Sequence, residues 1–157
     1  MGKPISYDED VHLWSVEQAA ALREAAASGT NLPVDWENVA EEIESVGRSE
    51  LRGLESALMR VIEHLLKLEW SPASDPRAGW RSSVLKHRIL AAAALEDSPS
   101  LRGRFRLARI YRDGLKLAAD GLRRDGMGQE ILPDECPWSL EQLLNEEFLP
   151  VNRHGLD

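Results

Sequence analysis

Apolar side chains recur along much of this chain at intervals of three and four residues, the spacing that lines one face of an α-helix. The longest such run holds Val39, Ile43, Val46, Leu54, Leu58, Val61, Leu65 and Leu68. At 100° per residue they fall within about 120° of one another, which predicts one long helix from about 36 to 69. Asp35 is placed to cap its start, and Glu37 suits the positive end of its dipole. Gly47 lies within the stripe, where a missing side chain would let another helix approach closely. A break at Gly47-Arg48-Ser49 is the alternative reading. β-Branched residues are sparse and no stretch alternates apolar with polar over a useful length, so no strand is expected.

Shorter helical patterns surround this one. A first helix is predicted to start at Ser15, whose hydroxyl can cap the amide of Gln18, and to run through alanine-rich Ala19 to Ala27 before Ser28-Gly29 ends it. Pro72, Pro76 and Gly79 mark a connector. A third helix from about Gly79 to Glu96 carries Trp80, Val84, Ala91 and Leu95 on one face, with Trp80 expected to anchor the core. Ser98-Pro99 opens a fourth helix. Its inner face is Leu101, Phe105, Ala108, Tyr111, Leu115, Ala118 and Leu122, and Gly126-Met127-Gly128 closes it. A loop with Pro133, Cys136 and Pro137 leads to a short last helix, Ser139 to about Glu147. Trp138 to Gln142 nearly repeats Trp14 to Gln18. Both read as capping boxes, and Trp138 can also staple onto Leu143. The expected fold class is all-α: an antiparallel helical bundle of about five helices, with a long second helix and a short C-terminal one. It would form a single domain over residues 1–157.

Composition narrows the classes without choosing among them. The chain has 157 residues, 43% of them apolar and 29% charged, which is enough for one core and too apolar for disorder. Its one cysteine, Cys136, excludes an intrachain disulfide and a cysteine-based zinc site. Between Glu135 and Pro137, with no neighbouring base, it reads as a small structural hydrophobe. No apolar run approaches the ~20 residues that span a bilayer, and Met1-Gly2-Lys3-Pro4-Ile5 lacks the apolar segment of a signal peptide. The expectation is a cytoplasmic protein without membrane association. The net charge of −8 is unevenly spread. Residues 1–59 hold 12 acidic and 4 basic side chains, residues 60–125 hold 8 and 14, and residues 126–157 hold 7 and 1. A positive middle between negative ends suits acidic and basic helices that face each other better than it suits a nucleic-acid module, which is usually basic overall.

Four features could carry chemistry. Glu41-Glu42-Ile43-Glu44 is dense enough in carboxylates for a cation or a general base, and also reads as a solvated face or a set of partners for arginines. His64 and His87 are 11 residues before and 12 after the connector midpoint near residue 75, so an antiparallel hairpin would bring them level. Glu41 and His64, 23 residues apart on one helix, would be separated by about 34 Å. No Glu-x-x-His pair precedes either histidine, since Val61 and Val84 occupy those positions, and no metal or cofactor is expected. Arg88 shares the inner face of the third helix and needs a buried acceptor, a structural ion pair being the simplest. Arg102, Arg106, Arg109 and Lys116 fall within about 80° on the fourth helix, a strip for an acidic partner or a phosphate backbone. The strip lacks exposed aromatics for stacking on bases. Phosphate-binding glycine loops, nucleophile elbows and zinc-binding His-Glu-x-x-His helices are absent from the sequence.

Tyr7-Asp8-Glu9-Asp10 with Trp14 and Gln18, then Asn38 to Arg48, then His64-Leu65-Leu66-Lys67 resemble the bacterial domain-of-unknown-function family 29. Trp80 with Arg88, the Ser98-Pro99-Ser100-Leu101 turn, and Cys136-Pro137 followed by Phe148-Leu149-Pro150 extend the resemblance over about residues 7–150. It implies an all-helical bacterial protein with no established activity. Where the family pattern usually has Gln-Arg, this chain has His87-Arg88, which weakens a paired-histidine site. Glu41, Glu42, His64, Trp80 and Arg88 look like family positions and are the candidates for a shared site, with no role implied. The function expected is that of a small helical protein-interaction module with a protein partner, or one that self-associates through an apolar helix face. The alternatives are a nucleic-acid or nucleotide binder using the arginine strip, and an enzyme or metal site around His64 and Arg88.

Overall fold

The computed structural model describes residues 2–156; Met1 and Asp157, the two ends of the expected domain, lie outside the described residues. Five α-helices form and no strand is present among the described residues: α1 Val11–Ala27, α2 Trp36–Trp70, α3 Arg77–Asp97, α4 Leu107–Arg124 and α5 Leu140–Leu144. The all-α class is as read from the periodicity. None of these helices is long and apolar enough to cross a membrane. The chain divides into two compact units. The first comprises the N-terminal segment through Leu54 together with Ala93–Phe105, and the second Glu55–Ala92 together with the chain from Arg106 onward.

In the first unit, α1 and the start of α2 run antiparallel. His12 Nδ1 lies 2.9 Å from the Gly47 carbonyl, and Arg23 lies 3.1 Å from Glu37. Gly47 does what its place in the stripe predicts, for a Cβ there would collide with Ser15 Oγ and sit 3.3 Å from the His12 carbonyl. The helix passes through it unbroken over 35 residues. The expected start of α1 is corrected. Asp10, not Ser15, is the N-cap and accepts from Leu13 N at 2.7 Å. Asp10 also accepts from Ser100 N (2.6 Å) and Ser100 Oγ (2.9 Å), so a buried carboxylate ties two chain segments at one helix end. Ser15 is instead buried within the helix, its hydroxyl donating to the His12 carbonyl at 2.7 Å. The first apparent capping box is therefore no box.

In the second unit, α3 returns antiparallel to α2: Arg77 donates to the Leu68 carbonyl at 2.9 Å, and Ser83 meets His64. α4 lies parallel to α2, Gly114 against Met59 and Ile62 and Gly121 against Lys67. Leu58, Val61, Ile62, Leu65, Leu66, Ala91, Ala118, Leu122 and Leu143 are fully buried here. Trp80 is only half-buried, so it is not the core anchor it was expected to be. The fourth helix is likewise corrected. Pro99–Gly103 forms a separate 3₁₀ turn in the first unit, and α4 starts only after Arg106. It ends as expected, Gly126 at φ +78° with its amide on Arg123 O (3.1 Å) and Met127 N on Leu122 O (3.0 Å), the Schellman arrangement. The Ser139/Gln142 capping box is present in both directions. α5 stops at Leu144, short of Glu147.

Candidate functional site

The N-terminal half of the long apolar stripe supplies the most open feature. Gly47 of α2 lies against Ser15 of α1, and Ala40, seven residues before it, is buried, as is Ala19 on α1. Such close backbone approach leaves the larger side chains beside it without cover. Val39 and Val46 remain 39% exposed, where the stripe predicted core. With Ile43, Tyr7, Trp14, Asn38 and Glu42 they line an open groove of about 560 Å³. Tyr7 and Trp14 meet edge to face, ring centroids 5.1 Å apart, and Tyr7 is 53% exposed. Tyr7 is also part of an adjoining cleft of about 380 Å³ whose other walls are Asp8, Val11, Glu50, Glu96 and Asp97. Both hollows belong to the first unit. One wall of the pair is apolar and aromatic, and the other carries four carboxylates. The sequence signal was present but unread: a small pair at Ala40 and Gly47 sets where the neighbouring helix lies, and the valines fall to one side of it.

His64 and His87 do come level, as the hairpin arithmetic predicted. Ser83 Oγ stands between them, 3.1 Å from His64 Nδ1 and 3.2 Å from His87 Nδ1. Each Nδ1 also faces the carbonyl four residues earlier, Arg60 O at 3.0 Å and Ser83 O at 2.7 Å. A carbonyl only accepts, so both Nδ1 atoms carry protons and the serine oxygen receives them as a second acceptor. That tautomer leaves Ser83 without a base on its proton, and the arrangement ties α2 to α3 rather than activating a nucleophile. Burial holds the His64 pKa below its ordinary value against the pull of Glu63. Glu63 is itself buried between Lys67 Nζ and Arg60 Nη1, both at 2.7 Å. Burial alone would raise its carboxyl, but the hydrogen bonds from Lys67 and Arg60 outweigh it and hold it low. No group of three or more His, Cys, Asp or Glu able to hold a metal occurs among the described residues.

Arg88 is almost wholly buried and has no carboxylate partner among the described residues, which corrects the expected ion pair. Its guanidinium donates to three backbone carbonyls: Leu143 from Nε (2.8 Å), Phe148 from Nη1 (2.8 Å) and Gln142 from Nη2 (3.1 Å). The Gln142 and Leu143 carbonyls are ones that α5 would otherwise use to continue its own ladder, and Phe148 lies just beyond it, so Arg88 satisfies the end of that helix and ties down the chain that follows. Desolvation lowers its pKa, with Glu146 pulling the other way.

The remaining candidates are dispersed. Glu41 and Glu44 belong to a surface network with Arg23 and Arg48, whereas Glu42 faces the groove. Glu41 and His64 stand 23 residues apart on an unbroken helix, about 34 Å. Of the five candidates for a shared site, Glu41 and Glu42 belong to the first unit and His64, Trp80 and Arg88 to the second. The arginine strip is corrected too: Arg102 lies in the 3₁₀ turn, Arg106 caps α4, and only Arg109 and Lys116 are on that helix. Lys116 and Arg112 flank Asp113 at 3.8 and 3.6 Å. Cys136 is half-buried, its thiol pushed up by burial, and Sγ donates to the Trp138 carbonyl at 3.4 Å.

A C-terminal clasp was missed altogether. Asn152 donates to Leu68 O (2.8 Å) and Ser71 O (2.9 Å), and Arg153 N to Glu69 O (2.8 Å), closing the open carbonyl end of α2. The Arg153 guanidinium sits 4.6 Å from the centre of the Trp70 ring and bonds Glu69 at 2.8 Å.

Among curated proteins, none matches the chain. The crystal structure of an α-helical protein of unknown function from Rhodospirillum rubrum ATCC 11170 superposes with a TM-score of 0.81 at 29% identity, over 93% of each chain. The family model described as Domain of unknown function DUF29 matches residues 6–149, within a residue at each end of the resemblance read from the motifs, and the chain belongs to that family.

Proposed function

We propose that this protein is a cytoplasmic protein-interaction module, and that its partner inserts an amphipathic segment with apolar and basic side chains into the groove of the first unit. The observation that carries this reading is the row Val39, Ile43 and Val46, both valines exposed and the isoleucine half-buried, lining one groove with Tyr7 and Trp14 beside a cleft of carboxylates. An apolar row left open to water is costly unless something covers it on binding. The spacing of 39, 43 and 46 is that of one helix face, which suits a helix laid alongside. Asp8, Glu42, Glu50, Glu96 and Asp97 select for lysine or arginine on that helix and repel an acidic one or a nucleic-acid backbone.

The test is a selection of displayed random peptides against the whole protein. Selected sequences should share apolar residues three and four apart with basic flanks. Their binding should fall at least tenfold in the Val39→Glu/Val46→Glu variant and stay unchanged when Arg106 and Arg109 are reversed to glutamate. Selected peptides without basic residues, or indifferent to the groove variant, would overturn the proposal.

A further inference from the structure

The outer face of α3 is a second uncovered apolar surface, and its charges are ordered. Val84, Arg88, Ala91 and Leu95 point inward and are buried. On the other side Leu85, Ile89 and Leu90 are 44%, 52% and 49% exposed, and Ala92 and Ala93 are exposed beside them. At 100° per residue, Arg81, Leu85, Ile89, Ala92 and Glu96 form one row about 80° wide. Lys86, Leu90, Ala93 and Asp97 form the row next to it. Each row begins basic, continues apolar and ends acidic. Among the described residues, Arg81, Lys86, Glu96 and Asp97 have no ion-pair partner in the chain.

We infer that α3 pairs with the α3 of a second copy of this chain, antiparallel about a two-fold axis near residues 88 and 89. The orientation follows from the charges. Parallel pairing would set Arg81 against Arg81 and Glu96 against Glu96, and like charges at such positions repel. Antiparallel pairing sets Arg81 of each copy against Glu96 of the other and aligns the helix dipoles favourably. It also places Leu85 opposite the small Ala92, so that large and small side chains alternate, and brings the two Ile89 side chains together at the axis. A two-fold contact is self-complementary by construction, which the mirrored order of charge on this face satisfies. Arg81 to Glu96 spans about 22 Å of helix. That is a small face against the ~800 Å² per partner of a standard interface, so the dimer should form at roughly micromolar concentrations and above.

The inference does not depend on what occupies the groove, although Glu96 also lines the acidic cleft. Sedimentation velocity of the whole protein over a wide concentration range, at low salt, should show a shift from 17.6 kDa to twice that mass. Ile89→Glu should abolish the dimer while leaving the far-ultraviolet circular dichroism spectrum intact, because the side chain is exposed. Arg81→Glu and Glu96→Arg should each weaken it at least about tenfold. An equimolar mixture of those two variants should recover the dimer, since antiparallel pairing then sets glutamate against arginine at both ends; the loss in each variant alone reports the orientation, because a parallel pair would only exchange one like-charge contact for another. A monomer at all concentrations would overturn the inference, as would a dimer insensitive to Ile89→Glu or a mixture that fails to recover. A dimer lost equally in Val46→Glu would put α3 in the groove of the other copy and overturn the antiparallel pairing.

Discussion

Removing the Arg88 guanidinium would orphan three backbone carbonyls at once, because Gln142, Leu143 and Phe148 all depend on it. Each unsatisfied buried acceptor costs about 1–3 kcal/mol, so Arg88→Ala should destabilise by at least about 3 kcal/mol in urea unfolding. Arg88→Lys should recover only part of this, as one ammonium cannot span three acceptors in the plane of a guanidinium. A second residue-scale expectation concerns acid. His64 titrates below its ordinary 6.5 in the folded protein, so its stabilising effect is complete above pH 6.5 and is lost as pH falls toward its folded value. Glu63 has the same sign at lower pH, stabilising above its ordinary 4.5 and losing that as pH falls. Stability should therefore decline in two stages on acidification, and His64→Gln should flatten the first, which sets in as pH falls below 6.5, in a series of urea melts. Arg88 was legible in the sequence as a buried cation in need of an acceptor. Its acceptors were not, because backbone carbonyls leave no mark in composition.

Helix α2 holds two glycines that look alike in sequence and differ in surroundings. A Cβ at Gly53 meets nothing within 4 Å, whereas one at Gly47 collides with Ser15 and crowds the His12 backbone. Gly53→Ala should stabilise the protein by about 0.5–1 kcal/mol through helix propensity, and Gly47→Ala should destabilise it by about 1–3 kcal/mol through overpacking. Thermal melts of the two variants should move in opposite directions. The existence and approximate length of each helix were readable from periodicity, and so were the Ser139 box and the Gly126 stop. The errors lay at ends decided by distant groups. Asp10 outcompetes Ser15 because the bonds from Ser100 fix it in place, and the end of α5 is satisfied by Arg88 from another helix.

At the scale of the whole molecule, the two units share α2 and α3, each of which contributes residues to both. Unfolding one unit would fray a helix that the other needs. A single coincident transition is expected when urea unfolding is followed by tryptophan fluorescence and by far-ultraviolet circular dichroism, as one cooperative domain requires. Two separated transitions would show that the units unfold independently. Periodicity and capping signals were enough for an all-helical chain with a long second helix and the level placement of His64 and His87, while the family was carried by the resemblance of its motifs, from Tyr7-Asp8-Glu9-Asp10 to Phe148-Leu149-Pro150. These depend on neighbours in sequence or on helix phase, which a linear string records. The open groove, the surroundings of Glu41, Glu42, His64 and Arg88, and the splitting of the arginine strip were decided by tertiary structure alone. Each depends on which side of an apolar stripe another helix covers, and closeness of packing at Ala40 and Gly47 settles that in three dimensions.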